Sequence, residues 1–188
     1  MADTVSEVRA RRLFLGIELP YWLCEKLVAL RVPLRGARWQ TASQLHITLR
    51  FLGSLDVRQV AALEEALGNL KAPPFEIAVR GAGYFGPAPA PTILWVGVEP
   101  VEPLLALREQ LDALLAPLAL PDDRHQCFRP HITLARLNGA DAGALAVAED
   151  LTNLRCGLLP VVEICLFDSR PGDAGSAYSV IQRFALGR

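Results

Sequence analysis

The chain has 188 residues, 52% hydrophobic and 21% charged, with 19 basic residues against 20 acidic ones and only three histidines. That length and apolar fraction suit one compact domain or two small lobes sharing a core. The net charge of −1 excludes a broad electrostatic grip on duplex nucleic acid, so any contact with nucleic acid is local.

Taken in chain order, the opening "MADTVSEVRARR" mixes acids and bases and has no apolar stretch, which excludes a signal peptide and reads as a short flexible leader over residues 1–10. One domain is expected over 11–188. "RLFLGIEL" reads as a buried strand ending at Pro20. Leu23, Leu27 and Leu30 recur at helical spacing from Tyr21 to about Arg31, and "VPLRGARW" then breaks the helix. "LHITLRFLG" is a strand, followed by a helix capped by Asp56 with Val60, Leu63, Leu67 and Leu70 on one face. "PFEIAVRGAGYFG" and "TILWVGVE" read as two strands, and a helix over about Pro103–Leu115 follows. After a second strand in "HITLAR" come a weak Ala-rich helix over Asp141–Asp150 and two closing strands, "VVEICLF" and "AYSVIQRFAL". Strands and helices alternate without a strict parallel-sheet rhythm, so the class is α+β. No run of eighteen apolar residues exists for a membrane span. Cys24, Cys127, Cys156 and Cys165 show neither zinc nor secreted-disulfide spacing, which points to reduced thiols and a cytoplasmic location.

The tetrapeptide HITL occurs twice, at 46–49 and 131–134, and uses two of the three histidines. Two copies 85 positions apart, each within a strand-and-helix half, imply a duplicated, two-lobed architecture. Side chains alternate along a strand, so His46, Thr48 and Arg50 share one face against Ile47, Leu49 and Phe51. His131 and Thr133 repeat this against Ile132 and Leu134. If the polar faces meet across a groove, two imidazoles and two hydroxyls converge. Such a site suits phosphodiester chemistry: one imidazole takes a proton from the nucleophile, the other gives one to the leaving oxygen, and the hydroxyls hold phosphate oxygens. No carboxylate or third histidine sits near either repeat at ligand spacing, so neither a metal nor another cofactor is expected. A single H-x-T is more often a satisfied, partly buried histidine. Two copies with the same flanking hydrophobics reverse that preference.

The pair of motifs, with "RLFLGIELP" before them, "LWVGV" between and "FRPHITLAR" at the second, resembles the 2H phosphoesterase superfamily over residues 11–186. Within it the chain is most similar to the RNA 2′,3′-cyclic phosphodiesterases, also called 2′-5′ RNA ligases. The resemblance implies a bilobal duplicated α+β fold, with two antiparallel sheets flanking a central cleft and helices on the outside, and metal-independent hydrolysis of a 2′,3′-cyclic phosphate on RNA or a nucleotide to a 2′-phosphomonoester, with reverse 2′-5′ ligation open to the same site. It also implies His46 as proton donor to the departing 3′-oxygen, His131 as proton acceptor from water, and Thr48 and Thr133 as phosphate ligands. Arg136 matches an arginine of the family motif expected near the phosphate, whereas strict alternation turns it away from His131; a bulge or the strand end would bring it back.

Other candidates for substrate contact are Arg50, Phe128, Trp39 beside Arg35 and Arg38, and Tyr84 with Phe85 as a base-stacking rim. Each also has a plain packing or solvated reading, and His125 reads as solvated. "GAGYFG" at 81–86 matches a dinucleotide fingerprint only in its letters, since "PAPAP" rather than a helix follows it. Two competing functions remain open: a non-catalytic nucleotide-binding module, and a sister phosphoesterase acting on 2′-5′ oligonucleotides or an ADP-ribose cyclic phosphate. The expected partners are RNA ends or nucleotides carrying the cyclic phosphate, with no membrane and no obligate protein partner, the chain acting as a monomer.

Overall fold

The first apolar run forms strand β1 (Arg11–Glu18), with Leu13 to Ile17 all buried. The computed structural model describes residues 10–120, 128–138, 143–172 and 175–187. The leader expected over residues 1–10 falls almost wholly outside them, and His125 and Cys127 fall outside too. Helix α1 (Tyr21–Val28) starts after Pro20 and ends three residues short of Arg31. Its last turn tightens, Leu30 and Arg31 donating to the carbonyls three residues back, as suits a chain approaching the Val32–Pro33 step, where helical backbone is disfavoured.

The stretch expected only as a break also holds a short strand, β2 (Ala37–Trp39), entered through Gly36 at a φ of 71°. Strand β3 (His46–Leu55) carries the first repeat. Helix α2 (Val57–Leu67) opens on the expected Asp56 cap: Asp56 accepts from the Gln59 N–H at 2.9 Å, and the Gln59 side chain accepts from the Asp56 N–H at 3.0 Å. The two strands expected next, β4 (Phe75–Phe85) and β5 (Ile93–Glu99), pair antiparallel, and α3 (Glu102–Leu115) buries Leu104, Leu107, Leu111 and Leu115.

The second repeat lies in β6 (His131–Leu137), followed by α4 (Gly143–Asp150). Next comes a strand that the sequence pattern does not announce, β7 (Arg155–Val161). It holds Gly157 and Pro160, which weaken a strand signal and are tolerated because β7 is an edge strand. Strands β8 (Glu163–Arg170) and β9 (Ala177–Ala185) close the chain.

The strands run in the order β7-β4-β5-β6-β3-β1-β8-β9, with β2 beside β6, and neighbours are antiparallel. The expectation of two separate sheets is therefore corrected: they are joined into one, because β3 and β6 pair with each other at Ile47↔Ile132. That junction is narrow, a single residue pair, whereas β1 and β3 pair along their whole lengths. Ile47 and Ile132 are fully buried and belong to the same core as the apolar stripes of all four helices, each such burial contributing about 2 kcal/mol. With the core on that face, the alternate residues of β3 and β6 are left to the opposite one. There a cleft of about 670 Å³ opens.

Candidate active site

Antiparallel pairing at one residue creates a local two-fold relation. About Ile47↔Ile132 it exchanges His46 with His131 and Thr48 with Thr133, and all four line the cleft. Continuing that register sets His46 beside Thr133 and Thr48 beside His131, which leaves the two histidines diagonal, about 7–8 Å apart at Cα.

Both strands then break alternation at the same place. In β3 the partners of Leu15 and Gly16 are Arg50 and Thr48, so Leu49 is an extra residue. In β6 the partners of Leu94 and Trp95 are Ala135 and Thr133, so Leu134 is extra. Each strand accordingly buries two successive residues, Leu49 with Arg50 and Leu134 with Ala135. A bulge of this kind moves every later side chain to the other face. Arg136 thereby returns to the face of His131 and lines the cleft, which removes the conflict between alternation and resemblance.

The same bulge corrects the placement of Arg50. It turns into the interior, 4% exposed, and pairs with Asp112 at 2.9 Å, while Phe51 takes the cleft position. Asp112 also accepts from Arg108 Nε at 2.8 Å, and Arg108 Nη1 donates to the Leu49 carbonyl at 2.6 Å, so α3 is tied to the bulge itself. Arg108 lies 5.5 Å from the centre of the Phe128 ring, and both line the cleft, as expected for Phe128.

The two imidazoles are held alike. His46 Nδ1 is 2.8 Å from the Gln44 carbonyl and His131 Nδ1 is 2.7 Å from the Arg129 carbonyl, each two residues back. A carbonyl only accepts, so both rings carry hydrogen on Nδ1 and keep Nε2 for the cleft. His46 Nε2 is 3.0 Å from Thr48 Oγ1. Around His46 stand Phe14, at 4.8 Å between ring centres, Tyr178 edge-on at 4.9 Å and Phe167 at 5.7 Å; Phe85 stands edge-on to His131 at 4.8 Å. Burial pushes the His46 imidazole down to about 4, with the charges of His131 and Arg136 acting the same way and the Gln44 carbonyl opposing. His131 is lowered by burial and by Arg136, against the Arg129 carbonyl. Both rings are thus neutral at pH 7.

Two rim candidates are not among the cleft residues. Trp39 sits in β2 opposite Ala135 and packs on the core, leaving the neighbouring Gln40 to line the cleft. Tyr84 is exposed, and its neighbour Phe85 faces in. The glycines of "GAGYFG" serve β4: a side chain at Gly83 would place Cβ 2.5 Å from the Trp95 indole, and Gly81 holds a φ of 64° at a register shift. Five further cleft residues, Phe14, Phe51, Tyr178, Arg12 and Arg129, are not singled out by the sequence patterns above. Phe14 and Arg12 alternate on β1 within "RRLF", a signal that was available; Phe51 needed the bulge, and Tyr178 the pairing of β8 with β9. Among the described residues no group of three or more His, Cys, Asp or Glu is placed to hold a metal ion, and no helix is long and apolar enough to cross a membrane.

Fold and cleft together define an α+β protein with two H-x-T strands paired at the heart of one curled antiparallel sheet. A family model described as the 2′-5′ RNA ligase superfamily matches residues 22–173, and the chain belongs to that family. Similar curated proteins include the RNA 2′,3′-cyclic phosphodiesterase of Thermus thermophilus, 33% identical over 93% of this chain and 90% of its own length. That of Escherichia coli is 30% identical over 94% and 97%. Among solved structures, E. coli LigT complexed with 3′-AMP superposes with a TM-score of 0.80 at 27% identity, covering 95% of this chain and 99% of that one.

Proposed function

We propose that the cleft hydrolyses 2′,3′-cyclic phosphates at RNA ends or on nucleotides to 2′-phosphomonoesters. Membership in the 2′-5′ RNA ligase superfamily, with curated relatives named RNA 2′,3′-cyclic phosphodiesterase, supports the reaction class. The observation that carries the assignment of residues is the matched tethering of His46 and His131 to carbonyls two residues back, which leaves an Nε2 of each for one cleft.

In the proposed cycle the neutral His131 takes a proton from water as the water oxygen bonds to phosphorus. The bond from phosphorus to O3′ breaks, and His46 gives its proton to O3′. Thr48 and Thr133 donate to the non-bridging oxygens and hold phosphorus between the rings. The division of roles follows the family resemblance, since the local two-fold supplies two equivalent imidazoles. His46 must carry a proton to act as acid, yet burial and the neighbouring charge of Arg136 oppose it. The substrate's negative charge offsets that opposition, so the acid is armed when the phosphate enters. Arg136, which bears on both rings, neutralises charge on the phosphate. With a 5′-hydroxyl in place of water, the same groups open the cyclic phosphate to a 2′-5′ diester: His131 takes the hydroxyl proton as its oxygen bonds to phosphorus, the bond to O3′ breaks, and His46 protonates O3′; the reverse of that step cleaves a 2′-5′ linkage.

The proposal includes two pseudo-symmetric lobes in one domain. Each motif strand is the innermost of four, β6-β5-β4-β7 on one side and β3-β1-β8-β9 on the other. It also includes a monomer at work in the cytoplasm without a protein partner, in keeping with Cys24, Cys156 and Cys165 as buried free thiols. The test is incubation with 2′,3′-cyclic AMP and with a cyclic-phosphate-ended oligonucleotide, with and without EDTA, scoring which phosphomonoester forms. A 2′-phosphate at a rate indifferent to EDTA is expected. A 3′-phosphate, a metal requirement or no turnover of either substrate overturns the reading.

A further inference from the structure

Arg12, Arg108, Arg129 and Arg136 line the cleft, and among the described residues no aspartate or glutamate does, in a chain whose net charge is −1. Arg108 is engaged by Asp112. Arg12, Arg129 and Arg136 have no carboxylate within ion-pair distance among the described residues. A single cyclic phosphate brings one negative charge, and Arg136 beside the histidines already meets it. Two cations in the cleft are then in surplus.

Their position separates them from the histidines. On β1 the cleft face reads Gly16, Phe14, Arg12, and the partners of these residues on β3 are Thr48, Phe51 and Ser54. Arg12 therefore stands four residues, about 13 Å, along the strand from the level of Thr48. Phe14 and Phe51, 6.0 Å apart at ring centres, fill the interval. Arg129 lines the same cleft and precedes His131 by two residues, on the side of that histidine away from Arg136. Arg136 lies at the other end, where β6 pairs with Ile93.

We propose that Arg12 and Arg129 form a second anion subsite, separated from the reacting phosphate by the Phe14 and Phe51 rings, which takes a phosphate group of the nucleotide next to the cyclic end. This deepens the function proposed above and rests on it for the identity of the reacting group. The phosphate at the second subsite comes either from an internucleotide diester or from a 5′-monophosphate on the cyclic nucleotide. The enzyme accordingly favours substrates with two phosphates over 2′,3′-cyclic AMP.

The test compares kcat/KM for 2′,3′-cyclic AMP, its 5′-phosphorylated form and an adenosine dinucleotide ending in a 2′,3′-cyclic phosphate. It is run with the parent protein, with R12Q/R129Q and with R12K/R129K. In parallel, binding of 2′-AMP and of a dinucleotide bearing a 2′-phosphate is followed against salt. The expected result is a preference of tenfold or more for at least one two-phosphate substrate, lost in R12Q/R129Q and largely kept in R12K/R129K. The salt slope for the dinucleotide should be steeper than that for 2′-AMP by about 0.7 per added phosphate contact, a difference that disappears in R12Q/R129Q. Preference for the dinucleotide alone assigns the subsite to a backbone diester; preference for both two-phosphate substrates assigns it to phosphate from either source. If the substrates turn over and their ratios are the same in parent and R12Q/R129Q, the subsite is wrong while the hydrolase reading stands. If nothing turns over but dinucleotide binding keeps its arginine-dependent salt slope, the subsite stands and the hydrolase reading falls.

Discussion

The strand bearing His46 and the strand bearing His131 start from the same four residues and diverge on either side of them. Two places before the histidine stand Gln44 and Arg129; four places after it stand Arg50 and Ala135; five places after it stand Phe51 and Arg136. The shared part includes the carbonyl tether, the H-x-T face and the bulge at the following leucine. Beyond the bulge the two strands differ in chemistry. At the position after the bulge the His46 strand presents the ring of Phe51, whereas the His131 strand presents the guanidinium of Arg136, with Arg129 just ahead of its histidine. Proton transfer requires two like groups, and recognition of a nucleotide requires an apolar surface for a base and cations for phosphate. The repeated motif meets both needs by keeping its centre while its flanks vary.

Breaking the shared centre has the largest expected effect. Replacing His46 or His131 by Ala should lower kcat by about 10²–10⁴, and the double variant should lose far less than the product of the two, since acid and base act as a unit. Steady-state rates on 2′,3′-cyclic AMP check this, and parental rates in both single variants would dismiss the assignment.

The threonines come next. Thr48→Val or Thr133→Val removes one hydrogen bond to a charged oxygen, a loss of about 10-fold to 100-fold in kcat/KM. Equal losses would show the two halves sharing the phosphate evenly; a lopsided result would sharpen the difference between them.

Arg136 stands where the His46 strand has the uncharged Phe51, and its removal should be visible in titration. A cation beside a neutral imidazole lowers its pKa, so Arg136→Gln should raise both His46 and His131, read from histidine ring protons against pH. In the parent protein the pH dependence of kcat should lie at higher pH than that of kcat/KM, because bound phosphate favours the proton that burial and Arg136 disfavour on His46. Stability follows the same linkage. With His46 held down to about 4 in the fold and near 6.5 when unfolded, the unfolded chain binds the extra proton between those values. Tm should therefore rise with pH from 4 to 6.5, and His46→Gln should flatten that rise.

Arg50→Met tests the other side of the bulge. Breaking a buried pair with Asp112 should lower stability by about 3 kcal/mol in denaturant titration while leaving KM within about twofold, since Arg50 is not a cleft residue. Trp39→Phe and Tyr84→Phe should change KM least, again within about twofold.

Much of the fold was legible because its signals are local. The strand of "RLFLGIEL" and the Asp56 cap are each written in a few adjacent residues, and they appear where the patterns put them. Strand β7 escaped because an edge position tolerates the Gly157 and Pro160 that read as breakers. Arg50 and Phe51 were assigned to the wrong faces because period-two alternation cannot register an extra residue. A bulge is decided by the partner strand, and Leu15 and Gly16 lie more than thirty positions upstream.

The repeated tetrapeptide by itself determined that two histidines and two threonines share the polar faces of two strands, since alternation over three residues follows from backbone stereochemistry alone. Only the tertiary structure decided that those strands pair at Ile47 and Ile132 within one sheet, that the bulges return Arg136 to the cleft and remove Arg50 from it, and that Arg12 and Arg129 line the same cleft. These are relations between residues distant in the chain, set by hydrogen-bond register and packing, and no local pattern encodes them.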